Sequence, residues 1–206
     1  MVTLDDLLTW LKTLRTRFEQ NKEYLTELDS AIGDADHGIN MNRGFQAAVA
    51  DLEDKPPNDI SGALKQVSMM LIKKVGGASG PLYGTFFLKA SAAVSGKESL
   101  DAQALLAMFS AGVEGLQQRG KAEQGDKTML DAWFPALEAM ESAGEEGIQA
   151  MLEAGAAAAE RGMKATIPLV ARKGRASYLG ERSKDHQDPG ATSTYLLLQA
   201  AAETWS

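Results

Sequence analysis

Leu4, Leu7, Leu8, Leu11, Leu14, Phe18, Leu25 and Leu28 recur at helical spacing and draw one apolar stripe along the first part of the chain. A stripe of this period is stable only when neighbouring elements pack along it. Thr3, with Asp6 three residues on, has the capping-box pattern that starts such a helix. The spacing predicts one long amphipathic helix ending near Asp29. Similar patterns follow from about Asn40 to Leu52, through Phe45, Ala48 and Val49, and then along Leu64, Val67, Met70, Leu71 and Val75, with Asp59 or Ser61 as the cap. A helix is expected from Pro81 to about Val94, and another capped by Ser99 and running through Leu105, Phe109, Val113 and Leu116. Three more are expected over Met129–Met140 despite Pro135, from Glu146 to about Lys164, and from about Ala191 to Glu203. About eight helices and no alternating strand predict an all-α fold.

The loops between these helices are less ordinary than the helices. Gly33-Asp34-Ala35-Asp36-His37-Gly38, with Asp29 before it and Asn40 after it, places three carboxylates within eight positions. Asp residues on a turn serve as caps and turn formers. Converging carboxylates also repel unless a cation lies between them, and hard oxygen ligands favour Mg²⁺ or Ca²⁺. Gly76-Gly77-Ala78-Ser79-Gly80-Pro81 is a glycine-rich entry to a helix. Its backbone N–H groups can receive an anion, or the glycines can simply make a tight connection. It is no P-loop, because no Gly-Lys-Ser/Thr ends it and no strand pattern precedes it. Arg119–Thr128 is polar, and Arg172 to Gly190 is long, aperiodic and carries Arg172, Lys173, Arg175 and Arg182. Such long segments in compact domains are usually functional or disordered. The four stretches follow alternate helices, which in an up-and-down bundle puts them at one end.

Composition narrows the partners. The 206 residues suit one large domain, and 44% hydrophobic residues argue against disorder. A net charge of −7 argues against unassisted binding to nucleic acid or an anionic membrane. Phosphate chemistry on such a chain needs metal ions or local donors. The absence of cysteine excludes disulfides and thiolate sites. Asp5 and Asp6 interrupt any signal-peptide pattern, and no apolar run nears the roughly 20 residues of a membrane span. A soluble, cytoplasmic protein is expected.

Taken together, the acidic turn, the Gly-Gly-Ala-Ser-Gly-Pro loop, Arg119-Gly120-Lys121-Ala122 with Gly125-Asp126-Lys127-Thr128-Met129, and Lys173 to Ser183 through His186-Gln187-Asp188-Pro189-Gly190 resemble the L subunit of bacterial dihydroxyacetone kinase. The resemblance spans essentially the whole chain, as one L-type nucleotide-binding domain over residues 1–206. It implies an eight-helix antiparallel barrel capped at one end by a nucleotide. It further implies that Asp29, Asp34 and Asp36 hold two Mg²⁺ ions bridging the nucleotide phosphates. His37 and Asn40, with Gly38 and Ile39 between them, would reach the nucleotide, and Ala78 and Ser79 would face the β-phosphate region. Gly120 and Met129 would line the adenine pocket. Arg175 would add charge stabilisation during transfer, and it would complete the lid with Asp188, Pro189 and Gly190.

No evident base for a substrate hydroxyl stands out, and the resemblance accounts for this: a separate K subunit binds dihydroxyacetone, and the L subunit supplies the phosphoryl group. A free-standing L chain favours the phosphotransferase-system type, in which bound ADP is rephosphorylated in place by a phosphohistidine protein. Two rival readings remain at this stage. One is an L-type domain using exchangeable ATP on a related small acceptor. The other is a nucleotide-loaded regulatory module read by a partner such as a transcription regulator.

Overall fold

The computed structural model describes residues 1–205. Among the described residues there are nine α-helices: α1 (Leu4–Gln20), α2 (Lys22–Ile32), α3 (His37–Asp54), α4 (Ile60–Lys74), α5 (Ser79–Ala93), α6 (Ala102–Gly120), α7 (Leu130–Ala143), α8 (Ile148–Ala165) and α9 (Pro189–Thr204). Short 3-10 segments at Gly144–Glu146 and Arg175–Ser183 complete it. The expected first helix is two helices. The Asn21 side chain donates to Arg17 O at 2.9 Å, beside the Asn21 backbone N–H at 3.0 Å. A side-chain amide that competes for a helical carbonyl favours a break there. With α1 and α2 counted as one broken rod, eight rods stand in the barrel.

Other starts follow local chemistry. The Thr3–Asp6 capping box forms as expected, and Asp59 caps α4 by accepting from Gly62 N at 2.6 Å. Ser99 does not cap α6. Leu100 exchanges two backbone hydrogen bonds with Val2, at 2.7 and 2.8 Å, which keeps that backbone extended. The cap therefore falls to Asp101, whose Oδ1 accepts from Ala104 N at 2.8 Å. Pro135 lies inside α7, beyond its first turn.

Each rod packs on the next from α3 through α9; α9 then packs on α1, and α1 and α2 pack on α3, which closes the ring. The interior is aromatic. The Trp10 ring lies 4.8 Å from Trp205, 6.1 Å from Phe87 and 6.4 Å from Phe109, and Phe86 stacks on Trp133 at 4.9 Å. Such pairs add roughly 0.5–1.5 kcal/mol each beyond the area they bury. Trp10 Nε1 donates to Leu197 O at 3.2 Å, so α1 and α9 are also joined by a polar contact inside the core. The connections α2–α3, α4–α5, α6–α7 and α8–α9 gather at one end, where all four line a single cavity. Among the described residues, no helix is long and apolar enough to cross a membrane.

Candidate functional site

The cavity encloses about 410 Å³. Its acidic wall is built by the α2–α3 turn. Asp29, buried on the last turn of α2, leans over Gly33; a Cβ there would stand 2.0 Å from Asp29 Oδ1, so only glycine leaves the carboxylate its place. Asp29 Oδ2 accepts from the N–H groups of Asp36 at 2.8 Å and His37 at 3.1 Å. Ala35 takes a left-handed φ of 60°, a conformation costing a non-glycine residue roughly 1 kcal/mol. That reversal brings Asp34 and Asp36 to the same side as Asp29, and one oxygen from each lies within 4.8 Å of the others. Three carboxylates this close, in a chain of net negative charge, match the hard oxygen donor set of a divalent cation such as Mg²⁺. Arg175 reaches across to Asp34 Oδ2 at 3.0 Å.

A second wall is the entry to α5. Gly77, at φ 62°, turns the chain so that α5 starts at Ser79, and the first-turn N–H groups of a helix have no acceptor within it. Behind this entry lies a buried polar chain. His37 Nδ1 is 3.1 Å from Ser79 Oγ, and His37 Nε2 is 2.9 Å from Ser193 Oγ. Ser193 Oγ donates to Gly190 O at 3.0 Å, and the Tyr83 hydroxyl is 2.7 Å away. Assigning the Ser193 proton to Gly190 O satisfies every group when Tyr83 and His37 Nε2–H donate to Ser193 and Ser79 donates to His37 Nδ1. Burial pushes His37 down to about 4, against the fields of Asp29 and Asp36, so the imidazole is neutral at pH 7. Ser79 thus turns its oxygen lone pairs to the cavity, and the donors facing it there are backbone N–H groups.

The start of α9 forms a third wall. Asp188 caps the helix by accepting from Ala191 N at 2.7 Å. Burial raises its carboxyl to about 7, only partly offset by the Ala191 N–H, with the negative field of Asp131 adding to the rise. The α6–α7 connection is held by Asp131, which accepts from Gly125 N at 2.5 Å and Thr128 N at 2.8 Å.

Of the residues expected at the site, Asp29, Asp34, Asp36, His37, Ala78, Ser79, Gly120, Met129, Arg175, Asp188, Pro189 and Gly190 all line this cavity. Gly38, Ile39 and Asn40 do not. Gly38 is where α3 crosses α2, since a Cβ would lie 1.9 Å from Lys22 O. Ile39 is about half exposed in a separate shallow groove beside α2. Asn40 Oδ1 accepts from Arg43 at 2.6 Å, and its side chain sits against Gly76. Sequence reading assigns no role to Ser193 or Tyr83, nor to Lys127 within the Gly125–Met129 motif. The first two fall on helix positions that read as core packing, and Lys127 lies between Asp126 and Thr128, where a solvated side chain is the ordinary reading.

An all-α barrel with an acid-lined, glycine-rich cavity at one end defines a class of helical domain whose loops, gathered at one end, can receive a ligand. Comparison with known proteins makes this specific: the DAK2 domain family matches residues 31–203. The chain is 48% identical over 198 residues to the "PEP-dependent dihydroxyacetone kinase, ADP-binding subunit DhaL" of Escherichia coli, covering 95% of this chain and 94% of that one. It is 42% identical over 205 residues to the "PTS-dependent dihydroxyacetone kinase, ADP-binding subunit DhaL" of Lactococcus lactis, covering 98% of both. The crystal structure of the dihydroxyacetone kinase from C. freundii in complex with AMP-PNP and Mg²⁺ superposes with a TM-score of 0.74 at 23% identity. That match covers 95% of this chain and 33% of the longer neighbour, and it bears on the fold alone. The chain belongs to the DAK2 family, and these two bacterial relatives are named as subunits of dihydroxyacetone kinases.

Proposed function

We propose that this chain is the nucleotide-carrying subunit of a dihydroxyacetone kinase, with residues 1–206 forming one L-type domain. It holds ADP with two Mg²⁺ ions, is recharged to ATP in place by a phosphohistidine phosphotransferase protein, and passes the phosphoryl group to dihydroxyacetone on a separate K subunit in the cytoplasm. One observation carries this reading: the carboxylates of Asp29, Asp34 and Asp36 converge in the same cavity that the glycine-rich entry to α5 lines. The names of the relatives, ADP-binding subunits of PEP- or PTS-dependent kinases, support the donor side of the relay.

Phosphoryl transfer asks a protein for positioning and charge neutralisation rather than covalent chemistry. Bound to Asp29, Asp34 and Asp36, Mg²⁺ supplies the positive charge that a phosphate chain needs beside an acidic wall. The N–H groups of Ala78 and Ser79 orient the phosphate nearest α5. Neutral His37 keeps the Ser79 hydroxyl turned toward itself. Gly120 and Met129 offer the adenine an apolar slot, with Met as an adaptable packer. Arg175 is the one catalytic side chain in this reading, a guanidinium free to leave Asp34 for the moving phosphoryl group. Asp188, Pro189 and Gly190 close the remaining side. Gly38, Ile39 and Asn40 serve the nucleotide through the turn they hold, since the Asn40 N–H donates to Asp36 O at 2.8 Å.

Mass spectrometry and phosphorus NMR of the small molecule that survives gel filtration test the proposal. Stoichiometric ADP, released only on denaturation and converted to ATP by the phosphotransferase proteins with phosphoenolpyruvate, is the expected result. Freely exchanging ATP would replace the relay with an ATP-dependent kinase. A chain that binds no nucleotide with or without Mg²⁺ would overturn the reading.

A further inference from the structure

Lys127 is the only buried lysine among the described residues. Among the described residues, no carboxylate lies within ion-pair distance of its ammonium. Four backbone carbonyls surround Nζ instead: Thr166 O at 2.7 Å, Ile167 O at 3.3 Å, Leu169 O at 3.0 Å and His186 O at 2.5 Å. Three of them belong to the end of α8 and the turn after it, and the fourth to the chain just before α9. Burying an ammonium is expensive, and burial pulls the Lys127 pKa down against the fields of Asp188, Asp185 and Asp131. No single backbone N–H could do its work, because one N–H cannot gather carbonyls from two separated stretches of chain.

Those two stretches are the neck of the loop that carries Arg175. Asp185 N donates to Ile167 O at 2.8 Å and Asp188 N to Thr166 Oγ1 at 3.0 Å, so the neck is hydrogen-bonded across as well as around the ammonium. Arg172 N donates to Asp126 O at 3.0 Å, tying the rising limb of the loop to the residue beside Lys127. Beyond the neck, Lys173, Gly174, Arg175 and Ala176 form part of the cavity wall. The α6–α7 and α8–α9 connections are therefore joined by the Lys127 side chain and by the Arg172–Asp126 backbone bond, and both face the same ligand space.

We propose that Lys127 is a positioning residue that latches residues 170–185 over the cavity and so sets how long a nucleotide stays bound. The proposal rests on the reading of the cavity as a nucleotide site. A merely structural lysine would contribute to barrel stability and leave ligand release unchanged, and the two roles separate experimentally.

The test compares Lys127→Met with Leu14→Ala, a core truncation far from the loops, in the full chain. Fluorescent N-methylanthraniloyl-ADP with Mg²⁺ is chased by unlabelled ADP to give the release rate. Limited trypsin digestion of the nucleotide-free proteins reports the loop, which contains Arg172, Lys173, Arg175, Arg182 and Lys184. Lys127→Met is expected to keep its helical circular dichroism and to release nucleotide about ten- to hundredfold faster, the loss of one charged hydrogen-bonding hub. Its loop is expected to be cut correspondingly faster, while Leu14→Ala melts earlier and changes neither rate. A folded Lys127→Met with wild-type release and loop protection would overturn the proposal, as would Leu14→Ala reproducing both effects. Should Lys127→Met not fold, Thr166→Val, which removes only the hydroxyl holding Asp188 N, takes its place. Wild-type behaviour of that variant, or failure of both to fold, would also overturn it. A wild-type chain that binds no labelled ADP would sink the nucleotide reading instead, and trypsin would still judge the latch.

Discussion

In the middle of the barrel, Trp10, Phe87, Phe109 and Trp205 bury large apolar rings that touch one another and need only two backbone carbonyls among them, Leu197 O for Trp10 and Asp6 O for Trp205. At the loop-bearing end, Asp29, His37, Lys127 and Asp188 are just as hidden from solvent but are charged or polar. The first region gains free energy by leaving water. The second spends some of it, through desolvation, a left-handed Ala35 and carboxylates held close together. The difference teaches where each property resides: the aromatic middle supplies stability, and the polar end draws on it to keep a binding geometry that would not form by itself.

The widest separation of the two should come from Trp10→Ala. It opens a cavity where three rings meet and is expected to cost about 3–5 kcal/mol in urea unfolding. Nucleotide affinity of the folded fraction should stay near wild type; a matching fall in affinity would mean that the two regions are not separable. Asp36→Ala probes the other end and should weaken nucleotide binding in Mg²⁺ by about a hundredfold. In EDTA the same variant should melt no earlier than wild type, because one of three repelling carboxylates is gone. A lower melting temperature there would show that the acidic turn stabilises the fold instead of drawing on it.

Ser193→Ala tests the boundary between the regions. It leaves His37 Nε2 and the Tyr83 hydroxyl buried without their shared partner, for an expected loss of about 1–3 kcal/mol. Nitrogen NMR should report a mixture of His37 tautomers in place of the Nε2–H form; an unchanged imidazole would remove Ser193 from the chain.

The smallest effect concerns pH. A carboxyl raised from 3.8 to about 7 lets the native state hold a proton that the unfolded chain releases, so the Asp188 contribution falls as pH rises through 7. His37, pushed from 6.5 to about 4, acts in reverse and loses its contribution as pH falls through 4. The two oppose each other between pH 4 and 6.5, and above 6.5 only Asp188 is left. In EDTA, the melting temperature should fall by a few degrees from pH 6.5 to about 8. Asp188→Asn should abolish that fall; an equal slope in the variant would place the titration elsewhere.

Much of the site was legible because its signals are local. The Thr3–Asp6 box, the Asp59 cap and the clustered carboxylates of the α2–α3 turn all depend on residues within a few positions of one another. Asn21 was not legible as a break, because the apolar stripe runs straight past it and only the side-chain amide turning to Arg17 O divides α1 from α2. Nor was Ser99 rejected until Leu100 paired with Val2, a partner nearly a hundred residues away.

Legible in the sequence alone, then, were the helical stretches, the Thr3 and Asp59 starts of two of them, and four unusual connections spaced so as to share one end. Hydrophobic period and capping act over one helical turn, and those rules can be read in one dimension. Only the tertiary structure decided that α9 closes on α1, that Ser193 and Tyr83 stand behind His37, and that Lys127 is buried. The Trp10–Leu197 contact spans 187 residues, and the carbonyls around Lys127 lie 39 to 59 residues further along the chain. Which side chains meet over such distances is set by the closing of the ring, because burial and hydrogen-bond satisfaction are properties of the packed whole.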